Sequence, residues 1–206
     1  MLKAVRVFAW VGIVLLTALL FWGFYLVPQA WNGRASVNSA NTQPSTIGRP
    51  FELVSQWGKT VSDADLVGKP YIVFFGFTNC PDICPTTLGE LSVLLEGLGK
   101  DAQQLETIFI TVDPERDTRE VLFQYMSSFD PRILALTGTP EQTAAAVKAF
   151  RAYATKVPLD GGGYTMEHTA GAYLISADGN FVGMLDLNEP QENRIGRLRR
   201  LINERG

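Results

Sequence analysis

Apolar runs of strand length alternate with amphipathic segments of helical length from residue 71 onward. Tyr71–Phe77 and Thr107–Val112 are continuous apolar runs, typical of strands that are buried on both faces of a sheet. Between them, leucines recur at helical spacing within Thr86–Leu98. The other predicted elements are a hairpin from Phe51 with its turn at Gly58-Lys59, a helix from Asp117 to Met126, a strand at Ile133–Leu136, a helix from Thr139 to Tyr153, a hairpin of Ala172–Ile175 and Phe181–Leu185, and a helix at Arg194–Glu204.

This alternation predicts an α/β architecture with a central mixed sheet that is flanked by helices and ends antiparallel. The order is that of a thioredoxin-like fold, elaborated by an insertion at residues 113–133. In open α/β sheets the functional site lies at the carboxyl ends of the strands. Residues that directly follow Tyr71–Phe77 are therefore candidates for the site.

An uncharged segment, Val7–Val27, precedes the folded region. At 1.5 Å per helical residue its length is roughly 30 Å, enough to span the hydrocarbon of a bilayer. Lys3 and Arg6 precede it, and no acidic residue occurs before Glu52. The positive-inside rule then predicts a single-pass inner-membrane protein with a cytoplasmic N-terminus and a periplasmic domain. The alternative is a cleaved signal peptide, but its apolar region would be only about 7 to 15 residues long.

The sequence divides into three parts. Residues 1–27 form the predicted cytoplasmic N-terminus and transmembrane helix. Residues 28–49 are rich in Asn, Ser, Thr, Gln and Pro and predict a flexible linker with a reach of roughly 25 Å. Residues 50–206 are long enough for one domain with its own core. Apart from Lys3 and Arg6, the chain has 16 basic and 21 acidic residues, a balance that argues against nucleic-acid binding.

The two cysteines, Cys80 and Cys84, directly follow the Tyr71–Phe77 strand. In an oxidising compartment a cysteine pair commonly forms a disulfide, but a loop this small gives little stabilisation as a structural staple. The cysteines also precede a helix, whose dipole favours an anion and predicts a lowered pKa for at least one thiol. With three intervening residues, the sulfurs can bind one metal ion or form a redox-active disulfide.

The histidine, His168, lies between a triple glycine at 161–163 and the predicted strand at 172–175. We expect the glycines to form a mobile loop and His168 to lie at the junction that faces the cysteine loop. A Cys2His set favours Cu(I) or Zn(II) through its thiolates, and its imidazole also accommodates Cu(II). Structural zinc normally has a fourth protein ligand. Met166 is either a weak additional ligand or a residue that fills the loop.

Several motifs together resemble the Sco/SenC family of membrane-anchored, thioredoxin-like copper proteins that act in cytochrome c oxidase assembly. These motifs are Cys80-Pro81-Asp82-Ile83-Cys84-Pro85, the segment Val112–Thr118, and His168 followed by a Gly-Ala-Tyr strand. The resemblance implies that Cys80, Cys84 and His168 bind copper, as Cu(I) or Cu(II). Asp82, Asp113 and Asp117 also match the family pattern. Their role is either to dock a partner or to cap helices and hold the loops in place.

The resemblance leaves two functions open. In the first, the chain is a metallochaperone that delivers copper to the dinuclear site of the oxidase. In the second, Cys80 and Cys84 are the catalytic pair of a thiol–disulfide oxidoreductase that reduces the cysteine ligands of that site. The implied partners are the copper-site subunit of the oxidase, a periplasmic copper donor and a thiol reductant. A peroxiredoxin or glutathione-peroxidase relative would share the fold, but no arginine lies near the cysteines in sequence.

Overall fold

The computed structural model describes residues 15–19, 21–22 and 47–204. Residues 15–19 and 21–22 are helical and exposed. Within the described parts of the chain, no helix has both the length and the apolar character needed to cross a membrane. Most of the predicted transmembrane segment Val7–Val27 and most of the predicted linker 28–49 lie outside the described residues.

Nine strands and four α-helices make up residues 47–204. The strands are β1 Glu52–Ser55, β2 Thr60–Ser62, β3 Tyr71–Gly76, β4 Glu106–Thr111, β5 Ile133–Thr137, β6 Ala154–Pro158, β7 Tyr164–His168, β8 Ala172–Ile175 and β9 Phe181–Leu185. The helices are α1 Ile83–Leu98, α2 Arg119–Met126, α3 Pro140–Ala149 and α4 Gln191–Asn203, with short 3-10 helices at Asp63–Leu66 and Gly99–Gln104.

A seven-stranded mixed sheet has the order β2-β1-β5-β4-β3-β8-β9. Its three central strands, β3, β4 and β5, are parallel, whereas β1, β2, β8 and β9 pair antiparallel. This arrangement confirms the predicted α/β thioredoxin-like fold with a mixed central sheet. The strands β6 and β7 form a separate two-stranded sheet.

The core lies on both sides of the central strands. Every residue of β3 is buried, and Val73, Phe74 and Phe75 are inaccessible to solvent. The leucine stripe of α1 is buried as well, and α1 packs against α4. A Cβ at Gly97 would lie 2.5 Å from Ile195 Cδ1, so the two helices approach closely here and a larger residue would require the Ile195 side chain to move.

Three predicted helix boundaries were wrong. The helix α4 begins at Gln191 rather than Arg194. The helix α3 ends at Ala149 rather than near Tyr153, because Phe150 is buried against Phe51, Phe75 and Tyr173 and the next residue adopts a positive φ. The helix α1 begins at Ile83 rather than Thr86, so Cys84 lies within its first turn.

The predicted mobile loop at 161–163 is the turn of the β6–β7 hairpin. All three glycines have positive φ values, which side-chain-bearing residues rarely adopt. The turn closes with hydrogen bonds from Gly162 N to Leu159 O and from Leu159 N to Gly163 O. This hairpin was missed in the sequence because its strands are short and half-exposed, although glycines between two short runs are a hairpin signal.

Candidate metal centre

The two cysteines occupy different environments at the carboxyl end of β3. Cys80 lies in the loop after the strand and is half-buried, while Cys84 is the second residue of α1 and is fully buried. The sulfur of Cys84 packs directly over β3. A Cβ at Gly76 would lie 2.9 Å from Cys84 Sγ and 2.7 Å from Phe109 Cε2, so the close approach of helix and strand requires glycine there.

His168 converges with both cysteines, although it is 84 residues from Cys84 in the chain. Its Nε2 atom lies 3.5 Å from Cys84 Sγ. The backbone N–H of Cys84 donates to Cys80 Sγ at 3.4 Å. All three potential donor atoms lie within 4.8 Å of one another, close enough to share one metal ion.

The imidazole of His168 is oriented by its neighbours. Its Nδ1 atom lies 2.9 Å from the carbonyl oxygen of Thr169, which can only accept a hydrogen bond. The proton of a neutral ring is therefore on Nδ1, and the Nε2 lone pair is directed toward the sulfurs. The rings of Phe74 and Phe77 meet the imidazole edge-on, with centroid separations of 6.3 and 5.8 Å. These contacts select the tautomer and rotamer that a metal ligand needs.

The predicted lowering of a thiol pKa does not hold for Cys84. Burial raises the pKa of this thiol, and a hydrogen bond with the Phe77 backbone offsets only part of that effect. Without a cation, Cys84 is therefore a neutral thiol at neutral pH. A bound metal ion would reverse the balance, because coordination favours the thiolate directly.

An open pocket of about 560 Å³ gives access to the centre. Cys80 and His168 line it, together with Phe77, Tyr153 and Met166. Met166 is half-buried, and its role as an additional ligand stays a prediction. The exposed residue Asp82 also lines the pocket, and its side chain makes no hydrogen bond that caps α1. The pocket leaves one side of the centre accessible to a partner.

A buried network ties the hairpin to the loop after β4. Asp113 is fully buried and accepts hydrogen bonds from Tyr164 Oη, at 2.8 Å, and from Arg116 Nε. The guanidinium of Arg116 stacks on the Tyr164 ring, 3.9 Å from its centroid, and donates to Tyr164 O at 2.9 Å. Arg116 lies in the recognised Val112–Thr118 segment, but its contact with Tyr164 was missed because the two residues meet only in the folded chain. This network holds the first residue of the strand that ends in His168.

Asp117 fixes the loop that leads to Cys80. It is buried and accepts hydrogen bonds from Thr78 N at 3.0 Å, Thr78 Oγ1 at 2.6 Å and Thr111 Oγ1 at 2.5 Å. Burial raises the pKa of Asp117, and the hydrogen bonds from both threonines partly offset that effect. Of the two roles predicted for Asp113 and Asp117, these contacts support loop architecture.

The chain is similar to known proteins over most of its length. A family model described as SCO1/SenC matches residues 39–203. "Protein SCO1, mitochondrial" from Saccharomyces cerevisiae is 38% identical over 167 residues, which cover 80% of this chain and 56% of the yeast protein. The chain thus matches little more than half the length of that relative.

Solved structures of Sco proteins are also similar to this chain. The copper-bound structure of Bradyrhizobium japonicum ScoI is 48% identical, with a TM-score of 0.72 over 75% of this chain and 99% of that one. A structure of BsSco, described as a member of the Sco family of cytochrome c oxidase assembly proteins with a disulfide switch, is 26% identical. Its TM-score is 0.61 over 77% of this chain and 94% of that one. From the family match and these relatives, this chain belongs to the SCO1/SenC family.

Proposed function

We propose that this chain binds copper through Cys80, Cys84 and His168 and delivers it to the dinuclear copper site of cytochrome c oxidase during assembly. The observation that carries the proposal is the convergence of two sulfurs and one imidazole nitrogen within 4.8 Å. Copper is the cargo of this reaction, and the chain's own residues hold it and release it.

The chemistry of the donor set suits copper. Thiolates are soft ligands that select Cu(I), and an imidazole with a free Nε2 lone pair also binds Cu(II). The chain has no third cysteine and no second histidine to complete a closed tetrahedral zinc site. Because Cys80 and His168 line an open pocket, a partner's ligands can reach an ion held there. A three-coordinate ion with an accessible side is suited to transfer.

Copper titration of the reduced chain under anaerobic conditions tests this assignment. We expect one-to-one binding of Cu(I) and Cu(II) to the wild type, and loss of that stoichiometry in Cys80→Ser, Cys84→Ser and His168→Ala. Met184→Leu is a suitable control, since Met184 is an exposed residue of β9 that does not line the pocket. One-to-one binding that survives in all three ligand variants would contradict the proposal.

A thiol–disulfide oxidoreductase is the second candidate. Both cysteines are free thiols, and their sulfurs lie within 4.8 Å of each other. In this reaction a partner's disulfide is reduced to two thiols, while Cys80 and Cys84 lose their protons and form a disulfide. The reaction makes no use of His168, so His168→Ala separates the two functions. Oxidase maturation that is lost in this variant supports copper delivery, whereas normal maturation supports thiol reduction.

The membrane location rests on the sequence of the N-terminal region. We infer that Val7–Val27 spans the inner membrane, that residues 28–49 form a tether, and that residues 50–206 work in the periplasm near the oxidase. Protease added to intact spheroplasts should digest the domain and leave a membrane-associated N-terminal fragment. A domain that is digested only after lysis would place it in the cytoplasm and contradict the inference.

A further inference from the structure

A second groove adjoins the metal centre. It has a volume of about 750 Å³ and lies between α3 and the β6–β7 hairpin, and we refer to it as the α3–β6 groove. Thr143, Val147 and Lys148 line it from α3, and residues 151–156 line it in unbroken succession. Of these, Ala154, Thr155 and Lys156 belong to β6. Side chains of a strand alternate between its two faces, so a groove that three consecutive strand residues line also reaches the main chain between them. The main chain of β6 therefore forms one wall.

The edge of β6 that faces away from β7 has free hydrogen-bonding groups. Tyr153 O accepts from Thr169 N, and Leu159 N donates to Gly163 O, so the odd-numbered residues of this hairpin pair with the opposite chain. In an antiparallel ladder the intervening residues direct their N–H and C=O groups outward. In β6 these are Ala154 and Lys156, whose main-chain groups make no hydrogen bond beyond the hairpin within the described residues. Such an edge can accept another strand.

The groove is basic. Lys148, Arg151 and Lys156 line it, against the acidic residue Glu115. Lys156 is paired with Glu115 at 2.6 Å, whereas Lys148 and Arg151 are exposed and have no ion pair within the described part of the chain. Two cations are thus available to an incoming segment, and their charge favours an acidic one.

The groove is continuous with the copper pocket. Tyr153 and Met166 line both cavities. Met166 is directly opposite Lys156 in the hairpin and lies two residues before His168 on β7. A segment bound along β6 would therefore lie next to the pocket through which a metal ion is exchanged.

We propose that the α3–β6 groove binds an extended acidic segment of the protein that exchanges copper with this chain, as an added strand along β6. This inference rests on the proposed function. Residues 28–46 of the chain itself are a poor occupant, because they contain Arg34 and no acidic residue. A second copy paired edge to edge would bring the basic groove residues of both copies together. Like charges at that interface disfavour such a dimer.

Fluorescence anisotropy with the purified full chain in detergent micelles tests the groove. The probe is a short fluorescein-labelled peptide of alternating glutamate and valine, and a lysine–valine peptide of equal length is its control. We expect the acidic peptide to bind and the basic one not to. Lys148→Glu should weaken binding about tenfold, which corresponds to about 1.4 kcal/mol. Lys100→Glu is the matched control, because Lys100 is exposed, has no ion pair in the described chain and lies outside the groove.

Main-chain pairing has its own test. Ala154→Pro removes an outward N–H and leaves the hairpin ladder intact, so it should weaken peptide binding while copper binding stays one-to-one. Two further probes carry N-methyl groups on either the glutamate or the valine amides. Only one set can face β6, so their affinities should differ about tenfold or more. This comparison needs no variant and holds even where Ala154→Pro fails to fold.

Binding that is indifferent to Lys148→Glu and to both methylated probes would overturn the proposal. So would a concentration-dependent dimer that Ala154→Pro abolishes and the acidic peptide does not dissociate, because that result would assign the groove to a second copy. The peptide assay needs no copper. A chain that binds the peptide but not copper would therefore contradict the proposed function and leave the groove as a strand-binding site.

Discussion

The hydroxyl of Tyr164 donates to the buried carboxylate of Asp113 at 2.8 Å, and this bond joins the hairpin that carries His168 to the loop after β4. Tyr164 is the first residue of β7 and His168 is the last. The other proposed ligands, Cys80 and Cys84, follow β3, which pairs with β4. The position of the imidazole relative to the sulfurs therefore depends on a contact that is four residues away from His168.

We predict that Tyr164→Phe lowers the free energy of unfolding by about 1–3 kcal/mol, because a buried carboxylate loses a hydrogen-bond donor. Copper affinity should fall as the hairpin loosens, with the stoichiometry unchanged. Urea unfolding and competition with a chelator measure the two effects. Tyr153→Phe is the control, because Tyr153 is exposed and its change should stay within about 0.5 kcal/mol. Equal stability of the two variants would show that the Asp113–Tyr164 bond contributes nothing.

Gly76→Ala should disturb the candidate metal centre by pushing the Cys84 sulfur away from β3. The added methyl would lie 2.9 Å from Cys84 Sγ and 2.7 Å from Phe109 Cε2, so α1 and β3 must separate. Overpacking of this kind costs about 1–3 kcal/mol, and the displaced sulfur should bind copper more weakly. Gly89→Ala in α1 is the matched control. Its Cβ would meet nothing within 4 Å, and replacing a helical glycine by alanine stabilises by about 0.5–1 kcal/mol. Thermal unfolding that shifts in the same direction for both variants would contradict the packing argument.

Alkaline pH should destabilise the reduced, metal-free chain through Cys84. Burial raises the pKa of this thiol above its ordinary value of 9.0, so above that pH the unfolded chain releases a proton that the folded chain retains. The contribution of the protonated Cys84 thiol to the free energy of unfolding is fully present below pH 9. Above pH 9 it should decline by about 1.4 kcal/mol per pH unit. Cys84→Ser should lack this part of the slope. Parallel pH profiles of unfolding for wild type and variant would refute the prediction.

The same difference predicts ordered alkylation of the two thiols. Cys80 is half-buried, whereas Cys84 is fully buried, and burial raises the pKa of the Cys84 thiol. Iodoacetamide at neutral pH should therefore modify the folded, reduced chain first at Cys80, and both cysteines should react in denaturant. Mass spectrometry of proteolytic fragments identifies the modified site. Faster labelling of Cys84 in the folded chain would show that its sulfur is accessible.

Thr78→Val should weaken the loop before Cys80. The Thr78 hydroxyl donates to Asp117 Oδ1 at 2.6 Å, and removing a donor from this buried carboxylate should cost about 1–3 kcal/mol. Thr143→Val has the same change in shape but should be neutral or stabilising, because the buried Thr143 hydroxyl has no hydrogen-bond partner in the described structure. Denaturant titrations of both variants give the comparison. A larger loss in Thr143→Val would contradict this account of Asp117.

The features that could be predicted from sequence are those set by local pattern. The apolar run of β3 and the leucines of α1 placed Cys80 and Cys84 at a strand's carboxyl end, where the structure has them. The convergence of His168 was predicted from element order, although its strand β7 was missed. Short, half-exposed strands such as β6 carry little hydrophobic periodicity, and the end of α3 depends on where Phe150 is buried.

Features that depend on burial in the folded chain were not predictable. The position of the two cysteines before a helix suggested a lowered pKa for at least one thiol, but burial of Cys84 beside Gly76 and Phe109 raises the pKa of that thiol. Similarly, Asp113 was recognised as part of a motif, whereas its partner Tyr164 is 51 residues away and lies in no recognised motif.

The separate pairing of β6 and β7 has a consequence for how metal chemistry can change in such a fold. The cysteines belong to the seven-stranded scaffold, and the histidine belongs to an appended ribbon that shares no strand with it. Substitution or grafting of the ribbon would therefore convert a metal-binding dithiol into a simple redox dithiol, or the reverse, while the scaffold keeps its topology. If Cys80, Cys84 and His168 bind copper as proposed, the part of the chain that sets metal binding can thus be exchanged separately from the part that carries the thiols.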